Sequence, residues 1–151
     1  MRSVENLLTE YNESHTHHIN KLLHWICVPL IVMSLLGMLW LIKIPLPAVP
    51  MNGAVALITL AMVYYLLISP MLAMGMLLVT ALMLGLLYLI DQSTVSLWMV
   101  SIGVFIVAWV GQFIGHHVEG KRPSFFKDIQ FLLIGPLWLL SFVYRKLGIH
   151  Y

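Results

Sequence analysis

Six of the seven histidines in this 151-residue chain fall in two short stretches. The first is Ser14-His15-Thr16-His17-His18-Ile19-Asn20-Lys21-Leu22-Leu23-His24, just before a long apolar run. The second is Trp109-Val110-Gly111-Gln112-Phe113-Ile114-Gly115-His116-His117-Val118-Glu119-Gly120, where a later apolar run ends. Imidazole is the commonest protein metal ligand, and polar groups at membrane depth are costly enough to mark a function. The two stretches read as two halves of a metal site, held where helices leave the bilayer.

Helical geometry sorts the candidates in part. On a helix starting near Ile19, Asn20 and His24 are at i, i+4 and share a face. His15 lies nine residues before His24, half a turn away on one continuous helix, so it joins His24 only if the chain bends between them. His17 reaches the same face if the helix begins earlier. Geometry leaves His15 and His17 as rivals. In the second stretch His116 and Glu119 are at i, i+3 and can face one way, while His117 turns about 100° aside. Glu119 can be a direct ligand or an acceptor that orients a histidine.

Three imidazoles, or two with a carboxylate, leave open coordination positions suited to non-haem Fe(II) and O₂. Zinc takes the same ligands and holds water in an open position, and spacing does not choose between the two. A plainer alternative stands beside this: histidines and acids can seal helix ends without binding anything. For His17, His18, His117 and His150 the plain reading, a polar tip at headgroup level, is the expectation.

The elements that carry these stretches are almost wholly lipid-soluble. The chain is 61% hydrophobic and 9% charged, with a mean hydropathy of +0.95, against about 25% charged residues in a soluble domain. Lipid is therefore its main solvent. A net charge of +2 gives no case for nucleic acid. The lone cysteine, Cys27, excludes an internal disulfide and a cysteine-rich zinc site and reads as a small core residue. Met1 to Tyr11 is polar and lacks the order of a cleaved signal peptide, so the first apolar segment is expected to stay as an anchor.

A spanning helix needs about 20 apolar residues. Trp25–Ile42, Gly53–Ile68, Met71–Ile90 and Val95–Ile114 are read as four spans. They are separated by Pro45-Leu46-Pro47-Ala48-Val49-Pro50, Ser69-Pro70 and Asp91-Gln92-Ser93-Thr94. The last apolar run, Phe131–Tyr144, is short and contains Gly135-Pro136, which suggests a re-entrant hairpin or an in-plane helix. The expected architecture is thus all-α, a single polytopic membrane domain over 1–151. It comprises a polar, histidine-bearing segment (1–24), four spans (25–114), a histidine, glutamate and basic loop (115–128) and a C-terminal apolar segment with a basic tail (129–151).

Four spans put both histidine stretches on one face. With the C-terminus returning to that face, seven of the eight basic residues lie on the cytoplasmic side and only Lys43 lies opposite. Both termini are therefore expected in the cytoplasm. Trp25, Trp98, Trp109 and Trp138 lie near the ends of apolar segments and fit an aromatic belt. The methionines, scattered over the middle spans, do not form a copper-binding row.

At these same stretches the chain resembles the membrane 2-hydroxy fatty acid dioxygenase family, known from yeast fatty-acid α-oxidation and from short bacterial membrane proteins. The matching residues are Tyr11, Ser14-His15, Asn20-Lys21, His24 and Val28-Pro29 in the first block. In the second they are Trp109, Gln112-Phe113, Gly115-His116, Glu119 and Pro123. The tail from Phe125 to Gly148 also looks like the bacterial members, so the resemblance covers nearly the whole chain.

The resemblance implies an Fe(II)-dependent integral membrane enzyme, of the bacterial inner membrane or the endoplasmic reticulum. It would use O₂ to shorten a 2-hydroxy fatty acid by one carbon. His15, His24 and His116 match the motif histidines, with Glu119 as a further candidate ligand, and Asn20, Gln112 and Glu119 match the polar residues expected to assist catalysis. The family pattern has a proline near position 18, where this chain has His18. A proline there breaks a helix and supplies the bend that His15 needs, which favours His15 over His17. Lys21, Lys121 and Arg122 are the cations expected to meet the substrate carboxylate. Two other classes remain in play: a haem-binding carrier with axial histidines, and a scaffold or small transporter needing no metal.

Overall fold

The computed structural model describes residues 3–46, 51–122 and 130–151. The end of the Pro45–Pro50 turn, Pro123 and Lys127 lie outside the described residues. Six helices account for most of the rest: α1 (Val4–Glu13), α2 (His18–Trp40), α3 (Gly53–Ile68), α4 (Pro70–Asp91), α5 (Leu97–Glu119) and α6 (Gln130–Lys146). A two-residue antiparallel ladder, β1 (Lys43–Ile44) with β2 (Met51–Asn52), pins the α2–α3 connection in the register Lys43↔Asn52 and Ile44↔Met51. The all-α expectation describes the architecture.

Three of these helices, α2, α4 and α5, are long and apolar enough to cross a membrane. In their most apolar windows only 33%, 22% and 22% of residues are buried in the protein, so most of their apolar surface faces outward, as lipid requires. The segment expected as the second span is α3, with the predicted bounds but only 16 residues. At 1.5 Å per residue that is about 24 Å, short of a hydrocarbon core about 30 Å thick. Length alone therefore does not make it a fourth span. Ser69 caps both neighbours: its N–H bonds the Tyr65 carbonyl at the end of α3, and its Oγ accepts from Leu72 N–H at the start of α4. That turn makes α3 and α4 a tight hairpin, as the Ser69-Pro70 pair suggested.

Helices α2 and α5 form the central antiparallel pair, and small residues set their spacing. A Cβ added at Gly37 would collide with Ser101, one at Gly111 would stand 2.6 Å from Cys27 Sγ, and one at Gly115 would stand 2.5 Å from Asn20 Oδ1. Close backbone approach through small residues is how helices associate without a hydrophobic driving force. This seam brings the start of α2 beside the end of α5, which are the two histidine stretches.

One element goes beyond the sequence expectation. The polar N-terminus holds an amphipathic helix: Val4, Leu7, Leu8 and Tyr11, at i, i+3, i+4 and i+7, are its buried residues. Ser3 caps it by accepting Asn6 N–H, and Glu5 sits in the first turn, where the helix dipole favours an acid. The last apolar run is one continuous helix through Pro136, the helical form of the two expected for it. Its Phe131, Ile134, Leu137, Trp138 and Leu139 join the α1 residues in the main core, together with Tyr65, Leu72, Ala73 and Met76. Pro136 removes one intrahelical N–H donor, and the Tyr65 hydroxyl donates to the nearby Leu133 carbonyl at 2.9 Å. Trp138, expected in an aromatic belt, is 2% exposed in this core, whereas Trp25 and Trp98 do face outward.

Candidate metal centre

The chain between α1 and α2 turns sharply at residues 14–17, and this turn aims His15 inward. Ser14 ends α1, with its Oγ donating to the Tyr11 carbonyl. His17 starts α2 as its N-cap, with Nδ1 accepting Ile19 N–H at 3.2 Å. His17 is thus occupied as a cap and its ring stacks on His18, with centroids 4.9 Å apart. The rivalry that geometry left open is resolved by position: His15 enters the cluster and His17 does not. The bend forms without a proline at position 18.

His15, His24 and His116 come together, all three buried, with one ligand atom from each within 4.8 Å of the others. Their ring centroids are 4.2 Å (His15–His24), 4.9 Å (His15–His116) and 5.1 Å (His24–His116) apart, and the rings are close to mutually perpendicular, at 76°, 73° and 83°. Rings this close leave no slot for a porphyrin between an axial pair, so the haem-carrier alternative does not fit them.

The backbone sets the tautomers. His15 Nδ1 bonds the Tyr11 carbonyl at 2.5 Å, and His24 Nδ1 bonds the Asn20 carbonyl at 2.9 Å. A carbonyl only accepts, so each Nδ1 carries the proton and each Nε2 keeps a free lone pair, the arrangement metal-binding histidines use. His15 Nε2 and His116 Nδ1 are buried without a hydrogen-bond partner among the described residues. Orphaned buried nitrogens are costly, and a cation held by the cluster would satisfy these two. Burial holds the His15 imidazole down to about 4, against a smaller opposing effect of the Tyr11 carbonyl, so it is neutral and ligand-ready near pH 7. Imidazoles suit iron, zinc, copper and nickel alike.

Glu119 lies outside this triad. Its Oε1 accepts Thr16 N–H at 2.9 Å and the Thr16 hydroxyl, and its Oε2 accepts His17 N–H at 2.8 Å and Asn20 Nδ2–H at 3.1 Å. The carboxylate at the end of α5 therefore clamps the turn that carries His15, the orienting one of the two roles expected for it. Asn20, fully buried, extends the clamp: Nδ2 also donates to the Ser14 carbonyl at 3.3 Å, while its own carbonyl orients His24.

Beside the triad a cavity of about 60 Å³ opens between α2, α5 and α6. His24, His116, Gln112 and Tyr11 supply its polar groups, and residues such as Val28 and Phe131 its apolar wall. Gln112 is one helical turn before His116 and so shares its face. The cations expected at a substrate carboxylate are elsewhere. Lys121 Nζ donates to the Glu13 carbonyl at 2.5 Å, Arg122 is exposed, and Lys21 is half-buried outside the cavity wall.

Tyr11 and Trp138 carry parts of the site that residue-type reasoning did not assign. Tyr11 stacks on His15 (centroids 4.2 Å apart, 10° between planes), and Trp138 packs at 5.3 Å from the same ring. Burial pushes the Tyr11 phenol above its ordinary range, so it stays protonated. The signal for Tyr11 was present: it is the last apolar residue of the α1 pattern and stands four residues before His15.

The chain is similar to known proteins along nearly its whole length. Residues 1–147 match the family described as 2-hydroxy-palmitic acid dioxygenase Mpo1-like. The chain is 32% identical over 140 residues to the 2-hydroxy-palmitic acid dioxygenase MPO1 of Saccharomyces cerevisiae, an alignment covering 91% of this chain and 78% of the yeast protein. No solved structure matches.

Proposed function

The chain belongs to the 2-hydroxy-palmitic acid dioxygenase Mpo1-like family, and on that premise we propose that it is an Fe(II)-dependent dioxygenase that shortens 2-hydroxy fatty acids by one carbon. The observation that carries this reading is the triad of His15, His24 and His116, buried beside an apolar cavity. A catalytic metal needs protein ligands on one side and room on the other, and two of the three imidazoles border that room. Bound there, iron supplies O₂ activation and polarises substrate oxygens.

The protein's own residues do the rest. His15, His24 and His116 would hold the ion, with Nδ1 of the first two fixed by backbone carbonyls. Glu119 and Asn20 keep the 14–17 turn in place, a positioning role. The acyl tail leaves along apolar helix faces, consistent with a substrate that enters sideways from the bilayer. Fatty-acid α-oxidation at the cytoplasmic membrane edge is the setting this reading implies.

The test supplies Fe(II), O₂ and 2-hydroxypalmitate to the purified protein and follows oxygen uptake together with the one-carbon-shorter acid. Stoichiometric product that depends on iron is the expected result. No product across chain lengths, with iron bound, refutes the activity, and equal product without iron refutes the metal's role.

A further inference from the structure

We propose that Tyr11 and Gln112 together hold the oxygen-bearing head of the substrate, an inference that rests on the dioxygenase reading above. Both line the cavity that His24 and His116 border. Both are more than nine-tenths buried, Tyr11 at 6% and Gln112 at 5% exposure. The phenol hydroxyl and the Gln112 amide are polar groups of an otherwise largely apolar cavity wall. A few polar groups set into an apolar pocket are what orients a ligand there, and these two point to a ligand with an oxygen-bearing head.

Their placement is held from behind. The Tyr11 ring is stacked on His15 and packed by Phe131 and Trp138, with centroids at 6.0 and 5.4 Å. Its hydroxyl reaches Gly135, where an added Cβ would stand 3.0 Å from the phenol oxygen. The missing side chain at 135 makes room for that hydroxyl. Gln112 is carried by the same face of α5 as His116.

The donor and acceptor set matches a 2-hydroxy acid. A carboxylate only accepts, and a 2-hydroxyl both donates and accepts. The Tyr11 hydroxyl and the Gln112 N–H groups can donate to the carboxylate, and the Gln112 carbonyl can accept the 2-hydroxyl proton. Among the described residues no lysine or arginine lines the cavity. The head is therefore met by neutral groups beside the metal site, and the cations named from the sequence do not take part. A site built to pair a hydroxyl rejects the analogue that lacks it, because its own polar groups are then left unpaired.

The experiment measures binding of 2-hydroxyhexadecanoic and hexadecanoic acid to the metal-loaded, full-length protein in detergent without O₂, alongside metal content. Wild type should prefer the hydroxy acid by roughly tenfold or more. Tyr11→Phe and Gln112→Leu should each bring that ratio close to one, with metal content and hexadecanoic acid affinity unchanged. A ratio that survives in both variants overturns the inference, and so does loss of metal or helicity in both, which makes the pair structural. A ratio that collapses instead in Lys21→Ala, Lys121→Ala or Arg122→Ala also overturns it, assigning the head to the cations. Absence of any preference in wild type fails the dioxygenase reading itself, and the inference with it.

Discussion

The Glu119 carboxylate accepts the backbone N–H of His17 at 2.8 Å, across 102 residues of chain. With the bonds from Thr16 and Asn20, this one side chain ties the end of α5 to the turn that aims His15. Glu119→Gln keeps the size but replaces one acceptor oxygen by a donor, which faces N–H groups that cannot accept. Groups that orient metal ligands typically contribute 10–100-fold in affinity. Metal titration of Glu119→Gln should show a loss of that order, while its acyl-chain affinity stays near wild type. Unchanged metal affinity would show that the clamp does not position His15.

The histidines divide into a converging triad and a helix cap. Single alanine variants of His15, His24 and His116 should each lower bound metal substantially, and any double variant should leave almost none. His17→Ala should keep its metal and lose about 0.5–2 kcal/mol of stability as the α2 cap disappears. His150→Ala should change neither. Elemental analysis with thermal denaturation reads both effects, and full metal retention in His24→Ala would remove the triad from the mechanism.

Glycines inside the α2–α5 seam and glycines outside it should give opposite outcomes. A Cβ at Gly115 would press on Asn20, and through it on His24 and Glu119, so Gly115→Ala should cost metal affinity as well as stability. Gly85 and Gly103 have no atom within 4 Å of an added Cβ. Alanine there should be neutral or stabilising by about 0.5–1 kcal/mol. Melting temperatures in one detergent, compared across the three variants, check the contrast.

Thr16 bonds Glu119 and Lys121 bonds the Glu13 carbonyl, so positions 16 and 121 occupy one end of the bundle. With Cys27 replaced, single cysteines at these two positions should react from the same side of the membrane, and the distribution of basic residues predicts labelling from the cytoplasmic side. Labelling of the two from opposite sides would contradict the seam. Labelling of both from outside would reverse the orientation.

The membrane character, the tight α3–α4 turn and the nomination of His24 and His116 for one cluster were legible in the amino-acid order alone, because each is written in local chemistry. Apolar runs, a Ser-Pro pair and imidazoles beside span ends need no distant partner to be recognised. What it left undecided depended on contacts between residues far apart in the chain. His15 displaced His17 because Glu119, about a hundred residues on, binds the Thr16 and His17 amides and fixes the bend. Glu119 sits apart from the metal triad because those same amides, with Asn20, use its lone pairs. Residues 131–144 form a buried helix because α1, itself hidden in a polar-looking segment, covers one of its faces and gives Trp138 a core to enter. Tyr11 faces the cavity for the same reason: α1 packs on α6, and the glycine at 135 leaves space for a phenol. Residue types nominated the chemistry, and packing across the seam and beneath α6 chose which copies of each type perform it.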